Sequence, residues 1–149
     1  MRFKTMPWQV KPMKNIVPST GPNPVRAVRI ENTDGIFYYL GEEFHREDGP
    51  AIEWSDGDRE WYKNGRLHRE DGPAAECKNG AKQWYKNGEL HREDGPAIES
   101  SSGEKYYYLN DCAYSKHSFY KKIEELKSQT KKESNLMNVQ SNDVKNGKY

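Results

Sequence analysis

The sequence has no long apolar run, and its apolar content is low throughout. Hydrophobic residues make up 33% of the 149 positions, and the mean hydropathy is −1.19. No segment approaches the roughly 20 apolar residues that a membrane-spanning helix needs, and residues 1–19 lack the apolar stretch of a secretory signal. We therefore expect a cytoplasmic protein of at most one domain, with no large core and no membrane partner.

Cysteine is also scarce, and no common catalytic motif is present. Cys77 and Cys112 are the two cysteines of the chain, and they cannot form the framework of a disulfide-rich secreted domain. The sequence contains no nucleophile elbow, phosphate loop, paired-cysteine metal motif or dinucleotide fingerprint. We predict a protein that is not an enzyme, with no catalytic residues, no cofactor and no metal site.

The chain does contain a repeat. The heptapeptide HREDGPA occupies residues 45–51, 68–74 and 91–97, with successive starts 23 residues apart. A fixed period of this length is typical of repeat proteins, in which each unit buries its apolar face against its neighbours. About three and a half units cover residues 36–114, and the last one lacks HREDGPA, as expected of a terminal repeat. Two aromatic columns follow the same period: Tyr38, Trp61, Trp84 and Tyr107, then Tyr39, Tyr62, Tyr85 and Tyr108. We expect neighbouring units to stack these rings along the array.

Turn residues at fixed positions predict the fold of one unit. Asn-Gly at residues 64–65 and 87–88 is typical of a type I′ hairpin tip, whose two central residues both need positive φ. Asp-Gly-Pro should interrupt the second strand with a bulge or bend, because Pro has no N–H and Gly commonly adopts the left-handed conformation there. The pattern predicts a mainly β protein, an elongated single-layer antiparallel meander of about four 23-residue β-hairpin repeats.

Four segments follow along the chain. Residues 1–24 contain five prolines and predict an extended arm. Residues 25–114 form the repeat array, which opens with a strand at about 25–30. Residues 115–130 predict a capping helix with Ser115 as N-cap and Phe119, Ile123 and Leu126 on one face. Residues 131–149 are polar and basic, and predict a flexible tail.

The repeat columns resemble the MORN repeat, which has the same period and runs from an aromatic through an Asn-Gly turn, a His and two further glycines. In one unit of this chain these positions are Trp84, Asn87, Gly88, His91, Gly95 and Gly103. The chain departs from the family by inserting Arg-Glu-Asp before Gly-Pro. The HREDGPA variant also resembles repeat proteins of bacteriophages and large viruses, and more distantly the MORN-type antitoxin repeats of bacteria. The resemblance implies a β-hairpin array but no particular activity.

The repeated motif supplies the candidate site residues. Equivalent histidines should lie about 10 Å apart, since each unit adds two strands, and this is too far for one tetrahedral zinc ion. A turn-bracing role for His is therefore favoured over binding or catalysis, and surface salt bridging is favoured for Arg. We predict structural roles for Trp61, Tyr62, Trp84, Tyr85, His45, His68, His91, Gly49, Gly72 and Gly95. Candidate partner-binding residues are Arg46, Glu47, Asp48, Arg69, Glu70, Asp71, Arg92, Glu93 and Asp94.

Charge is unevenly distributed. Residues 36–108 hold ten Lys and Arg against sixteen Asp and Glu, whereas both flanks are basic. This distribution favours a module that binds a protein, such as a host nucleic-acid-binding complex, over direct nucleic-acid binding, which we expect only from the basic tails. Given the resemblance, the module would be a phage or viral inhibitor of host defence in the host cytoplasm, with an acidic surface that mimics nucleic acid. The alternatives are a structural or virion assembly protein and, third, a membrane-associated scaffold; the oligomeric state is left open.

Overall fold

The computed structural model describes residues 27–145, apart from the side chains of residues 136 and 138–145. The predicted N-terminal arm, residues 1–24, lies outside the described residues. Within them the chain forms fourteen short β-strands followed by one α-helix. The strands are β1 (Val28–Asn32), β2 (Gly35–Leu40), β3 (Glu43–Phe44), β4 (Ile52–Trp54), β5 (Arg59–Glu60), β6 (Tyr62–Lys63), β7 (Arg66–Leu67), β8 (Ala75–Glu76), β9 (Lys82–Gln83), β10 (Tyr85–Lys86), β11 (Glu89–Leu90), β12 (Ile98–Glu99), β13 (Lys105–Leu109) and β14 (Cys112–Tyr114), and the helix α1 is Lys116–Lys145.

The strands form one long open sheet with smaller hairpins beside it. The main sheet has the order β1-β2-β4-β5-β8-β9-β12-β13-β14, with β3 paired to β2, and every pair is antiparallel. In the two middle repeats the hairpin tips, β6-β7 and β10-β11, form separate two-stranded units. The prediction of a mainly β antiparallel array of hairpins with a C-terminal helix is confirmed.

The hairpin tips have the backbone that their residues predict. Asn64 and Gly65 have φ of 50° and 72°, and Asn87 and Gly88 have φ of 54° and 90°. Both central residues are therefore left-handed, as a type I′ turn requires. The fourth tip keeps this conformation without glycine, because Asn110 and Asp111 have φ of 48° and 60°, and Asn and Asp tolerate it better than other non-glycine residues.

Bulky core residues gather at the two ends of the array. The first cluster contains Phe37, Tyr39, Ala51, Ile52 and Tyr62, and the second contains Tyr107, Leu109, Phe119 and Ile123. Between them, Ala74 and Ala97 are fully buried, whereas Trp61 and Trp84 are half-buried. Apart from Tyr62, which belongs to the first cluster, the middle repeats therefore bury little large apolar volume, and polar contacts help to position Trp61 and Trp84.

The helix begins where the sequence predicts and continues further than predicted. Ser115 caps it by accepting a hydrogen bond from the Ser118 N–H at 3.1 Å, and Phe119 and Ile123 are buried against β13 and β14. The predicted end at residue 130 is wrong, since α1 extends to Lys145, through much of the segment predicted as a flexible tail. Residues 131–145 contain no Gly or Pro, and each residue added to an existing helix gains one hydrogen bond at little further cost.

Candidate functional site

Each HREDGPA segment leaves its hairpin tip, bends, and leads into the next strand of the main sheet. The arginine is the centre of each bend. In the second repeat, Arg69 donates from Nε to Asp71 at 2.8 Å, and from Nη1 to the Pro73 carbonyl at 3.3 Å and to Glu76 at 3.2 Å. Arg46 and Arg92 make the same three hydrogen bonds in the first and third repeats, at 2.7–3.4 Å.

The same arginines lie over the first aromatic column. The guanidinium carbon of Arg69 is 4.1 Å from the centre of the Trp61 ring, and Arg92 and Arg46 lie 4.0 Å and 3.9 Å from Trp84 and Tyr38. The prediction that rings of neighbouring units stack on each other is wrong for Trp61 and Trp84, since neither ring contacts another ring of the described residues. Ring contacts within residues 27–145 belong to the two end clusters. Cation–π contacts take their place in the middle repeats.

The glycine of each motif is needed for close approach and not for its backbone conformation. A Cβ atom placed on Gly72 would lie 2.9 Å from the guanidinium carbon of Arg69, and on Gly49 and Gly95 the corresponding distances are 3.0 Å and 3.2 Å. None of the three has the positive φ that the sequence pattern predicted, although other glycines of the array do. The bend is therefore organised around the arginine, which contacts an aromatic ring and a glycine.

The histidines connect each repeat to the next. Nδ1 of His45 accepts a hydrogen bond from the Asn64 N–H at 3.1 Å, and Nδ1 of His68 accepts one from the Asn87 N–H at 3.0 Å. In the third repeat, Nδ1 of His91 lies 3.3 Å from the Asn110 nitrogen and 2.6 Å from the Asn110 side-chain oxygen, so it contacts the same turn, and the tautomer of the ring decides whether Nδ1 accepts or donates. Each histidine thus supports a turn, as its position beside the motif indicates, but the turn is the hairpin tip of the following unit.

The carboxylates of the motif face solvent at one-repeat intervals. Glu47, Glu70 and Glu93 have side chains that are 80%, 80% and 63% exposed, and those of Asp48, Asp71 and Asp94 are 80–85% exposed. We call these six residues the acidic ladder. Hydrogen bonds from Arg69 and Arg92 lower the pKa of Asp71 and Asp94 below the usual carboxyl range, so these two carboxylates stay ionised at neutral pH.

Successive motifs enclose two equivalent open clefts. The first has a volume of about 650 Å³ and the second about 690 Å³. Each is lined by an acidic pair from both flanking motifs, by the tryptophan of the intervening tip (Trp61 or Trp84) and by one lysine (Lys63 or Lys86). Both clefts therefore carry the acidic ladder on their rims and offer the same chemistry twice.

No metal or membrane feature appears in the part of the chain that the structure describes. Within residues 27–145, no group of three His, Cys, Asp or Glu side chains is arranged to hold a metal ion. Cys77 and Cys112 are not joined by a disulfide. None of the described helices combines the length and apolar character needed to cross a bilayer.

The structure brings together most of the predicted site residues and adds others. Arg, Asp, Gly and the first aromatic of each repeat form one contact group, and the ion pairs predicted for the arginines are present. A third acceptor of each arginine, not among the predicted site residues, is Glu53, Glu76 or Glu99. The 23-residue period was a sufficient signal, because these glutamates lie seven positions after the arginine in every repeat.

No protein-family model, curated protein or solved structure shows a significant match to this chain. The resemblance to MORN repeats stays a prediction, carried by the residue columns and compatible with the hairpin array.

Proposed function

We propose that this protein is a non-enzymatic binding module whose acidic ladder docks on a basic surface of a partner protein. The observation that carries the proposal is the repeated exposure of six carboxylates on three equivalent loops. Fixed charges of one sign speed encounter with a surface of the opposite sign and select against wrong partners.

The loops that carry the ladder are already ordered before binding. Each aspartate is held by the guanidinium of its own repeat, and that guanidinium is held by a backbone carbonyl, a second carboxylate and an aromatic ring. A partner would therefore meet carboxylates at a fixed spacing and would lose little conformational entropy in ordering them.

The partner chemistry that fits is a protein groove built for phosphates. The array has a net charge of −6 over residues 36–108, from ten basic and sixteen acidic residues, so phosphates would be repelled and a basic groove attracted. In such a groove the ladder would compete with nucleic acid. The HREDGPA motif also resembles repeat proteins of phages and viruses. On that resemblance, the protein would be a phage or viral inhibitor of a host defence or nucleic-acid-handling complex.

The proposal is tested by neutralising the ladder glutamates. E47Q/E70Q/E93Q removes three charges and leaves the arginine-bound aspartates intact. E42Q/E89Q/E133Q is the matched control, because it removes the same charge from exposed positions elsewhere. Wild type and both variants are immobilised and exposed to nuclease-treated cell lysate, and the proteins retained by wild type are purified for kinetic measurement.

We expect the ladder variant to associate with the retained protein roughly tenfold more slowly, with a weaker salt dependence, while the control variant resembles wild type. Equal loss in both variants would attribute binding to net charge alone and contradict a defined docking site. Recovery of lipid without any protein, or of nucleic acid without any protein from a parallel lysate without nuclease, would also contradict the proposal.

A further inference from the structure

Among residues 27–145, no strand pairs with the outer edge of β1. Within that range β1 pairs only with β2, and its five residues make it longer than the two- and three-residue strands of the repeats. The pairing register is regular from Val28 opposite Tyr39 to Asn32 opposite Gly35. A regular exposed edge of this length is a template for another strand.

The direction of the backbone groups of β1 follows from the neighbouring strands. Tyr38 donates its N–H to Ala51 at 2.8 Å, on the side of β2 that faces away from β1. Because successive residues of a strand alternate in direction, Phe37 and Tyr39 turn their main-chain groups toward β1, where Ile30 and Val28 are opposite them. The N–H and C=O groups of Arg29 and Glu31 therefore point outward.

The side chains at this edge are self-complementary about Ile30. If a second strand of the same sequence runs antiparallel to β1 with Ile30 opposite Ile30, Arg29 of each copy faces Glu31 of the other. Arg29 and Glu31 are both exposed and lie on one face, where they already form an ion pair. Ile30 is half-buried at the margin of the Phe37 cluster, so this register would place two isoleucines together on the core side.

We infer that β1 is the interface for a second copy of this chain, and that two arrays join there into one continuous antiparallel sheet. The outward groups of Arg29 and Glu31 supply four main-chain hydrogen bonds across the two-fold axis, and their side chains supply two ion pairs. Charged residues on an edge strand often prevent it from pairing with another chain. In this register they do not, because Arg29 of each copy faces Glu31 of the other instead of a like charge.

The inferred assembly is a dimer that offers no second β1 edge for further copies. A two-fold interface uses the same surface on both partners, and at the other end of the sheet α1 packs against β13 and β14. The inference is independent of the acidic ladder, which lies on the loops of the repeats and not on β1.

A charge-swap series tests it with the full chain in sedimentation experiments over a range of concentrations. We expect wild type to approach twice the 17.4 kDa of one chain. R29E gives a strand with two acids and E31R a strand with two bases, so each should dissociate at concentrations at least tenfold higher than wild type. The double variant R29E/E31R restores the complementarity and should dimerise like wild type.

The decisive sample is an equal mixture of R29E and E31R. Neither should dimerise with itself as wild type does, but together they should form a heterodimer, because every cross-strand pair then has opposite charges. Amide exchange adds a second readout: protection of Arg29 and Glu31 should increase with concentration, whereas Ile30, bonded to β2, should be protected throughout.

A wild-type chain that remains monomeric at millimolar concentration would overturn the inference. So would a dimer that both single variants leave intact, or a mixture without heterodimer. Amides of Arg29 and Glu31 that are protected in a monomer at every concentration would show that the edge is covered within one chain, and would overturn it as well.

Discussion

Replacing Gly72 by alanine should destabilise the protein, and the structure identifies Arg69 as the reason. An added Cβ would lie 2.9 Å from the guanidinium carbon of Arg69, which is closer than real side-chain contacts. Gly72 does not have a positive φ, so alanine is otherwise compatible with its backbone. The steric conflict is therefore with one side chain, which must move.

The size of the effect follows from what Arg69 would lose. Its hydrogen bond to the Pro73 carbonyl contributes about 1 kcal/mol, its partly shielded pair with Glu76 up to about 1 kcal/mol, and its contact with Trp61 about 0.5–1 kcal/mol. The pair with Asp71, whose side chain is 84% exposed, adds little. R69A should thus cost about 1.5–3 kcal/mol, and G72A about 0.5–2.5 kcal/mol after the entropic gain of about 0.4–1 kcal/mol that alanine brings.

A double-mutant cycle separates this explanation from a general intolerance of alanine. Urea unfolding of wild type, G72A, R69A and R69A/G72A gives the four free energies, with hydrogen exchange to check that the array unfolds as one unit. In the R69A background the added methyl group meets no guanidinium, so G72A should be neutral or slightly stabilising. The equivalent change G95A should cost less than G72A, because its distance is 3.2 Å.

Two results would refute the reasoning. A neutral G72A in the wild-type background would mean that Arg69 moves aside at no cost and is not an organising contact of the bend. An equal penalty with and without Arg69 would place the conflict in the backbone and contradict the assignment of this glycine to close approach.

Three further predictions concern other contacts. H68A should cost about 1–3 kcal/mol in urea unfolding by leaving the Asn87 N–H without its acceptor, and H68N, which keeps an acceptor at the δ position, should recover part of the loss; equal losses would argue against the bridge. F119A should cost about 3–5 kcal/mol at the cluster between helix and sheet, and should reduce helical circular dichroism; an unchanged spectrum and midpoint would contradict it. Since the hydrogen bond from Arg69 lowers the pKa of Asp71 below 3.8, the stability from this pair is present above that pH and lost as the pH falls through the folded pKa; R69A should raise the Asp71 pKa in an NMR titration, and an unchanged pKa would refute the coupling.

The repeat unit and its turns could be predicted because their causes are local. Asn-Gly specifies a left-handed turn through the preferences of two adjacent residues, and the φ values of Asn64 and Gly65 agree. The helix start at Ser115 also depends on residues within one turn. Its end was predicted wrongly, since low apolar content beyond residue 130 argues against burial but not against continuing an established helix.

The arrangement of the candidate site depended on longer contacts. The sequence shows that His68 and Asn87 occupy positions that recur in every HREDGPA-containing repeat or its successor. It does not show that the Asn87 N–H donates a hydrogen bond to His68, 19 residues earlier. The aromatic column was expected to stack on itself, whereas each middle-repeat tryptophan contacts the arginine of its own repeat. Trp61 lies between the two-residue strands β5 and β6, where the chain passes from the main sheet to the hairpin tip.

The sequence by itself determined the period, the hairpin tips, the mainly β array, the helix start and the excess of acidic residues on the repeats. These depend on backbone preferences of neighbouring residues and on composition. Only the tertiary structure decided that the glycine of HREDGPA accommodates a guanidinium, that the histidine supports the following repeat, and that the main-chain groups of Arg29 and Glu31 point away from β2. Those relations depend on register, because a shift by one residue turns each side chain to the other face of the sheet and gives it different neighbours.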